Sequence, residues 1–580
     1  MSAWNFGCLS DAFLVISSVD NKDTRPDYFD REEYLVYKKK MWIGTVMAIA
    51  LLSAGPWSYV RANRDPKPLL SEKHECVFSM SQRDGKPVVS ASVQFRGGEP
   101  IRLECWERDE EQWLFLPAIY RGQEVCFEEQ TFVLEEGPLL LKSKSGDQVQ
   151  IQILFGSKIP SAWLETESGD LESLKEGKEH QEEGVLYFVD EDGILEYGGD
   201  LRKVKLRGNS TRLQPKTPFR IRLDQDASLA GLGSSKDYVL LAEYGDISLM
   251  QNKAAMELAN QTTDQYEPDG IHIDLYVNGE YMGVYLLAEG IFIGENRLDL
   301  FDLEQKTEQS NLNPLKECQT FQDRSSEGTL AKGYEILENP PDISGGYLLE
   351  LEYPSRYEEE ETTGFRTGRN KTIVIKEPAF ASREQVTYIQ DQFQRAEDAM
   401  YAEDYMVPDT GLKLEDLVDL ESLVHKYLVD EICMNTDPWT SQFLYKDRGE
   451  EPFHFGPAWD YDMAFGHYDP GFSPEEFYLN DHIWYKEVYE YAAFQELMRT
   501  QYECCYLPVL QELTDTKIPE WKMQLQNSAR MNFIRWDIEE IYERNAILYT
   551  GDTFDACVDS LSDFIERRTA YLSSVWLEKP

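Results

Sequence analysis

Between residues 76 and 160 the chain alternates apolar and polar positions in short runs. They read PVVSASVQF (Pro87–Phe95), IRLECW (Ile101–Trp106), QWLFLPAIY (Gln112–Tyr120), TFVL (Thr131–Leu134) and VQIQILF (Val149–Phe155). Period-two alternation broken by turn residues predicts a small all-β domain over 76–160. The stretch Glu165–Gly184 is charged and reads as a loop leading to a second domain near Val185. There KVKLRG (Lys203–Gly208) and FRIRL (Phe219–Leu223) alternate apolar and basic residues, two strands joined by a polar loop. The stretch from Tyr238 to Gln261 turns helical, and Ile271–Glu289 folds back on Asn278-Gly279, the strongest short hairpin signal. ISGGYLLELEY (Ile343–Tyr353) and KTIVIKEP (Lys371–Pro378) add strands. From Ser382 onward helical spacing dominates, except in the strand-like SQFLYKD (Ser441–Asp447) and Glu451–Asp462. The pattern predicts an α+β chain with strands first and helices later, and no internal repeat.

Composition narrows the function. At 580 residues the chain has room for two to four domains, and 42% apolar residues can build their cores. Lys and Arg number 57 against 106 Asp and Glu, a formal charge of −49. Such a field repels nucleic-acid phosphate and anionic lipid and favours basic proteins and divalent cations. The nine cysteines form no Cys-x-x-Cys and the seven histidines no HExxH, which argues against zinc. Cys105 and Cys126 are the pair a disulfide would join.

One stretch carries a targeting signal. Lys38–Lys40 precede the uncharged Met41–Gly55, and Val60–Ala62 offers small residues for cleavage. Residues 38–62 therefore read as a signal peptide or signal anchor, after a poorly structured extension over 1–37. Either reading exports the rest, with membrane contact only through this segment; a buried soluble helix is the alternative.

Candidate chemistry concentrates in FGPAWDYDMAFG (Phe455–Gly466), where Asp460 and Asp462 lie among aromatics. Carboxylates beside apolar groups need a cation or a metal to offset desolvation. Asp437 lies 23 residues upstream, across a predicted hairpin that would bring it near Asp460. Arg207, Lys216, Arg220 and Arg222 stand in the first half. Metal-holding carboxylates on one wall and cations on the other are what a metal-bound polyphosphate requires. The alternative is that the aspartates brace a turn and the basic run is a solvated strand face.

Five segments in order, Leu206–Leu223, Ile273–Ile291, Ile343–Glu352, Val374–Ile389 and Phe455–Gly466, resemble the CotH family of spore-coat-protein-type kinases, secreted atypical relatives of protein kinases. The resemblance covers Leu195 to Arg530. It implies a two-lobed kinase-like domain over 185–580, with an N-lobe at about 185–300 and a C-lobe at about 340–580. ATP with Mg2+ or Mn2+ would lie between the lobes. By resemblance Asp437 is the catalytic aspartate, Asp460 a metal ligand with Asp462 joining it, and Gln442 stands where a protein kinase has its second metal-binding amide. Arg207, Asn209 and Ser210 would form the phosphate-side loop in place of a Gly-rich one. Lys216 and Arg220 would hold phosphate, and Glu257 would be the helix glutamate that pairs with the lysine, a surface helix glutamate being the other reading. Leu286–Ile291 would be the hinge. Where many members read Lys-Lys-Pro, this chain has Lys216-Thr217-Pro218, and Arg212 replaces a common tryptophan. The expected activity is transfer of the ATP γ-phosphate to Ser or Thr of a basic or Ser-rich surface or spore-coat protein. The alternative is a pseudokinase serving as a surface-assembly or binding module.

Overall fold

The computed structural model describes residues 74–577 apart from 84, 97, 99, 327, 437, 438, 468–472 and 546. The extension over 1–37, the export segment 38–62 and Asp437 lie outside the described residues. Among the described residues no helix is long and apolar enough to cross a membrane.

The predicted β region forms as expected, in three small sheets. The first holds β1 (Glu75–Arg83), β2 (Lys86–Gln94) and β3 (Ile101–Glu104) in that order. The second has the order β4 (Trp106–Arg108), β5 (Glu111–Leu116), β9 (Gln148–Phe155), β8 (Gly137–Lys142). The third is the pair β6 (Glu124–Phe127) and β7 (Gln130–Val133). Their core does not close on itself. Phe95 packs on Trp163 with ring centroids 5.1 Å apart, Trp163 stacks flat on Tyr276 at 3.8 Å, and Phe115 meets Tyr281 at 5.0 Å. Those partners belong to the next layer, so the region shares its apolar core with that layer.

The next layer is a closed barrel of β10 (Ser161–Thr166), β11 (Glu182–Val189), β12 (Leu195–Leu206), β13 (Phe219–Ala227), β14 (Ser235–Leu241), β15 (Gly270–Val277) and β16 (Glu280–Glu289). Its order is β10-β11-β12-β13-β14-β16-β15, and a parallel β10–β15 pairing closes it. The barrel thus begins at Ser161, upstream of the Val185 expected. Asn278 and Gly279 both take positive φ, 49° and 83°, as a two-residue hairpin turn requires. Helix α1 (Gln251–Thr262) crosses between β14 and β15.

The third layer is a seven-stranded sheet backed by helices. Its order is β17 (Thr320–Ser325), β18 (Gly328–Tyr334), β20 (Gly364–Arg366), β21 (Thr372–Glu377), β19 (Tyr347–Glu352), β22 (Gln442–Lys446), β23 (His454–Phe455). Helix α2 (Leu303–Ser310) leads into it and α3 (Pro354–Glu359) follows β19. Helix α4 (Arg383–Met400) opens with a Ser382–Gln385 capping box and buries Val386, Ile389, Phe393, Ala396 and Met400, spaced three and four apart. Helix α5 (Leu420–Cys433) is buried along most of its circumference; its charges are paired there, Lys426 with Asp430 at 2.6 Å and Glu431 with Arg568 at 2.6 Å. Helices α6 (Ile518–Arg535) and α7 (Phe554–Trp576) complete the core.

Cys105 and Cys126 are both free thiols, which corrects the expected disulfide; Cys105 is half-buried and Cys126 exposed. Burial pushes the Cys105 thiol up to about 12, so it stays protonated and inert.

Candidate active site

Two loops meet below the barrel. Helix α5 ends at Met434 in the left-handed conformation, φ 51°, which turns the chain sharply into Asn435 and Thr436. The hydroxyl of Thr436 donates to the Met463 carbonyl at 2.7 Å, and that of Ser441 donates to Asp460 Oδ2 at 2.9 Å. Thr436 and Ser441 are therefore each tied to the Asp460–Met463 segment. β22 and β23 pair antiparallel between Ser441 and Asp460. Asp460 has φ 70° and an exposed side chain, while Trp459 and Tyr461 on either side are buried. Residues with positive φ and no glycine are strained, and such strain gathers at functional sites.

The cation that faces the aspartates in this structure is Arg207. Burial pulls its basicity down, and the carboxylates of Asp460 and Asp462 oppose that pull. Its guanidinium lies over the Trp459 ring, 5.4 Å from the centroid. Gly208 follows with φ 81°; a Cβ there would meet Thr211 Oγ1 at 2.0 Å, so the tight turn after Arg207 demands glycine. Asn209 accepts a hydrogen bond from the Lys178 ammonium at 3.0 Å, and Lys178 also pairs with Glu360 just after α3. Ser210 is exposed.

A cavity of about 750 Å³ opens between the outer face of the barrel and the seven-stranded sheet; Arg207, Asp460 and Asp462 do not line it. Arg220 and Arg222 of β13 line it and pair with Asp237 at 3.3 and 2.7 Å. Lys376 of β21 lines the far wall and pairs with buried Glu350 at 2.9 Å. Burial opposes the lysine's charge, but Glu350 outweighs it and holds the ammonium above its usual range. The segment Ile291–Ile293, which starts at the last residue of the expected hinge, also lines the cavity. The Ile293 N–H donates to Glu377 Oε1 at 3.1 Å, and burial pushes that carboxyl up to about 8. Between barrel and sheet Val239, Leu286 and Ala288 of the barrel share one apolar cluster with Leu348, Phe443 and Trp459.

Lys216 does not line this cavity. Its ammonium is buried, donating to the Val284 carbonyl at 2.5 Å and to Asn532 Oδ1 on α6 at 2.9 Å. Burial lowers it to about 7, with Glu243, Asp274 and Asp246 the acids that oppose the drop. Gly283, at φ 108°, makes room: a Cβ there would meet Asn532 Oδ1 at 2.3 Å.

The expected Lys216–Glu257 pair does not form. Glu257 is held by Lys253 at 3.3 Å and Lys517 at 3.1 Å. The reason is helix phase. Asn252 is the α1 residue turned toward the aspartates, and Glu257, five residues on at about 100° each, points well away. The carboxylate that stands near both Lys216 and Asp462 is Glu243, in the loop before α1. Burial first, then Asp246 and Asp462, push its carboxyl up to about 8. Glu243, Lys376 and Glu350 were not singled out from the sequence. The only signal for the last two was charge within largely apolar strands, Glu350 and Glu352 in β19 and Lys376 and Glu377 in β21.

The model of the family described as CotH kinase protein matches residues 204–572, well over half of the chain. The chain belongs to the CotH kinase family. No curated protein matches it. Membership of a kinase family implies ATP and a divalent metal in general terms. The donors present suit a hard cation: Asp460 and Asp462 offer carboxylate oxygens, with the Ser441 hydroxyl beside Asp460. Gln442, next in sequence, has a buried Nε2 without a hydrogen-bond partner; that nitrogen is a donor, so only the amide oxygen could ligate a cation. Among the described residues no cluster of three or more His, Cys, Asp or Glu side chains is placed to hold a metal; Asp437 lies outside them.

Proposed function

We propose that the protein is a metal-dependent atypical kinase that transfers the γ-phosphoryl group of ATP to Ser or Thr of a protein, from a two-lobed domain formed by the barrel and the seven-stranded sheet. The observation that carries this reading is the opposition of Arg207 to Asp460 and Asp462; Arg220, whose charge also reaches Arg207, lines with Lys376 the cavity between barrel and sheet. A polyphosphate needs cations along its length and carboxylates where its metal sits. Asp460 and Asp462, with Gln442 beside them, are the residues that would hold the ion, which supplies charge neutralisation at the phosphates. Arg207, Arg220 and Lys376 would hold and orient the phosphates, with Asn209 and Ser210 on the loop above. Asp437 would take the proton of the acceptor hydroxyl. The hydroxyl oxygen forms its bond to the γ-phosphorus while the bond to the β–γ bridging oxygen breaks, and ADP leaves.

The acceptor we propose is a basic or Ser-rich surface or spore-coat protein, reached after export through residues 38–62. The charge of −49 supports a basic partner, because long-range attraction raises encounter rates. A second reading, a pseudokinase that binds without turnover, is favoured by the engagement of Lys216 with Asn532 rather than with the cavity.

Incubation of the full chain with labelled ATP, Mg2+ and Lys/Arg-rich Ser peptides separates the two. Transfer that Asp437→Asn lowers by roughly 10²-fold or more, with ATP binding kept, supports the kinase. ATP binding with no transfer to protein or peptide, under Mg2+ or Mn2+, establishes the pseudokinase.

A further inference from the structure

The peptide between the two aspartates is gripped from the barrel side. Asn252, in the first turn of α1, accepts the Tyr461 N–H at its Oδ1 at 2.8 Å. That bond fixes which way the amide points, because only its oxygen can accept. Its Nδ2 is thereby aimed at Glu243 and donates to both carboxyl oxygens, at 3.1 and 3.3 Å. Asn252 and Glu243 are 5% and 6% exposed, so water is a poor substitute for either bond. Glu243 itself sits at φ 50°, a conformation that costs energy for a residue with a Cβ. The Tyr461 hydroxyl is fixed separately, donating to Asp430 Oδ1 at 2.6 Å on α5. Tyr461 is thus held at its backbone by α1 and at its ring by α5, and Asp460 and Asp462 project from the two sides of a residue that cannot turn.

We infer that Asn252 is a positioning residue for the Asp460–Asp462 pair and that Glu243 acts through it, by orienting its amide. The inference deepens the kinase reading and rests on it for its functional consequence. Neither residue lines the cavity; each sets the angle at which the carboxylates are presented. The clamp also couples the seating of α1 to the readiness of the site, since α1 cannot shift without releasing the Tyr461 N–H.

The test uses the full chain and two readouts. Hydrogen exchange of the Tyr461 amide is followed without metal or nucleotide, and thermal stabilisation is then measured with Mg2+ and ATP. Asn252→Ala is expected to speed Tyr461 exchange by tenfold or more and to remove most of the Mg·ATP stabilisation. Asn252→Asp, which faces Glu243 with a like group, covers the case in which the alanine variant does not fold; it should speed exchange as well. Glu243→Ala should behave like Asn252→Ala, whereas Glu243→Gln, whose carbonyl still accepts from Asn252, should restore slow exchange. Tyr461 exchange as slow in the folded Asn252 variants as in the wild type overturns the clamp. Faster exchange with unaltered Mg·ATP stabilisation overturns the positioning role. A wild-type chain that Mg·ATP does not stabilise counts against the kinase reading instead, and the exchange arm still decides the clamp.

Discussion

The guanidinium of Arg207 rests on the indole of Trp459, 5.4 Å from the ring centroid, in the residue directly before Asp460. The contact does two things at once. It places a fixed cation against the aspartate pair, and it ties the loop after β12 to the loop after β23. A flat guanidinium suits both jobs, since it can stack on a ring and fork toward carboxylate or phosphate.

Arg207→Ala should therefore act in opposite directions on two ligands. Without the guanidinium, Asp460 and Asp462 lose a competing cation, so Mg2+ alone binds more tightly. ATP loses a phosphate contact and binds about tenfold more weakly, about 1.4 kcal/mol. Calorimetric titrations with Mg2+ and with ATP check both signs; a parallel loss of both affinities would show that Arg207 only braces the fold.

Asp460→Asn is the informative change at the metal position, because asparagine tolerates the left-handed backbone that alanine resists. It keeps an acceptor for Ser441 and removes the charge. The melting temperature should stay within a few degrees of wild type while stabilisation by Mg·ATP disappears. Stabilisation of wild-type size in the variant would take Asp460 out of the metal site.

The Lys426–Asp430 pair is almost wholly buried, with side chains 1% and 0% exposed. Asp430→Ala strands the ammonium in the core and frees the Tyr461 hydroxyl. A loss of about 3–5 kcal/mol is expected, the usual cost of breaking a buried pair on one side. Urea unfolding measures it. Adding Lys426→Met should recover much of the loss; an additive double variant would mean that the two charges do not act as a pair.

Asp274 supplies a pH test. Burial raises its carboxyl to about 7, although Ser528 and Tyr281 both donate to it, at 2.7 and 2.8 Å. The folded chain holds this proton more tightly than the unfolded one, whose aspartate releases it near 3.9. The contribution is thus fully present below about pH 4 and falls as pH rises toward 7, by up to about 1.4 kcal/mol per pH unit. Asp274→Asn removes the slope. The gap between variant and wild type should close or reverse in the variant's favour from pH 5 to pH 7.5. A constant gap would show that Asp274 folds already ionised.

Much of this architecture was legible from local pattern. Asn278-Gly279 announced its hairpin, and Ser382 to Gln385 with the spacing of Val386, Ile389 and Phe393 announced α4. The cluster at Asp460 was visible because two carboxylates among aromatics demand an explanation. What stayed hidden was set by distance along the chain and by helix phase. Asn252 meets Tyr461 across 209 positions, and nothing near either residue marks the contact. Glu257 looked like the partner of Lys216 because it is the acidic residue on the right helix, but rotation of α1 gives that inward place to Asn252. The parallel closure of β10 on β15 was equally silent, since β10 reads as one more short apolar run.

The shared core of the N-terminal sheets and the barrel bears on what can be inherited or transplanted. Family similarity starts at residue 204, near the end of β12, whereas the barrel starts at Ser161. A piece cut at the limit of similarity would carry an opened barrel, with β13 and β15 left as raw edges and Tyr276 and Tyr281 stripped of their aromatic cover. Open edges of that kind recruit other chains. The stretch that matches the family is therefore shorter than the stretch that closes the barrel, and gene fusions or domain swaps cut at residue 204 are expected to expose strand edges and favour aggregation.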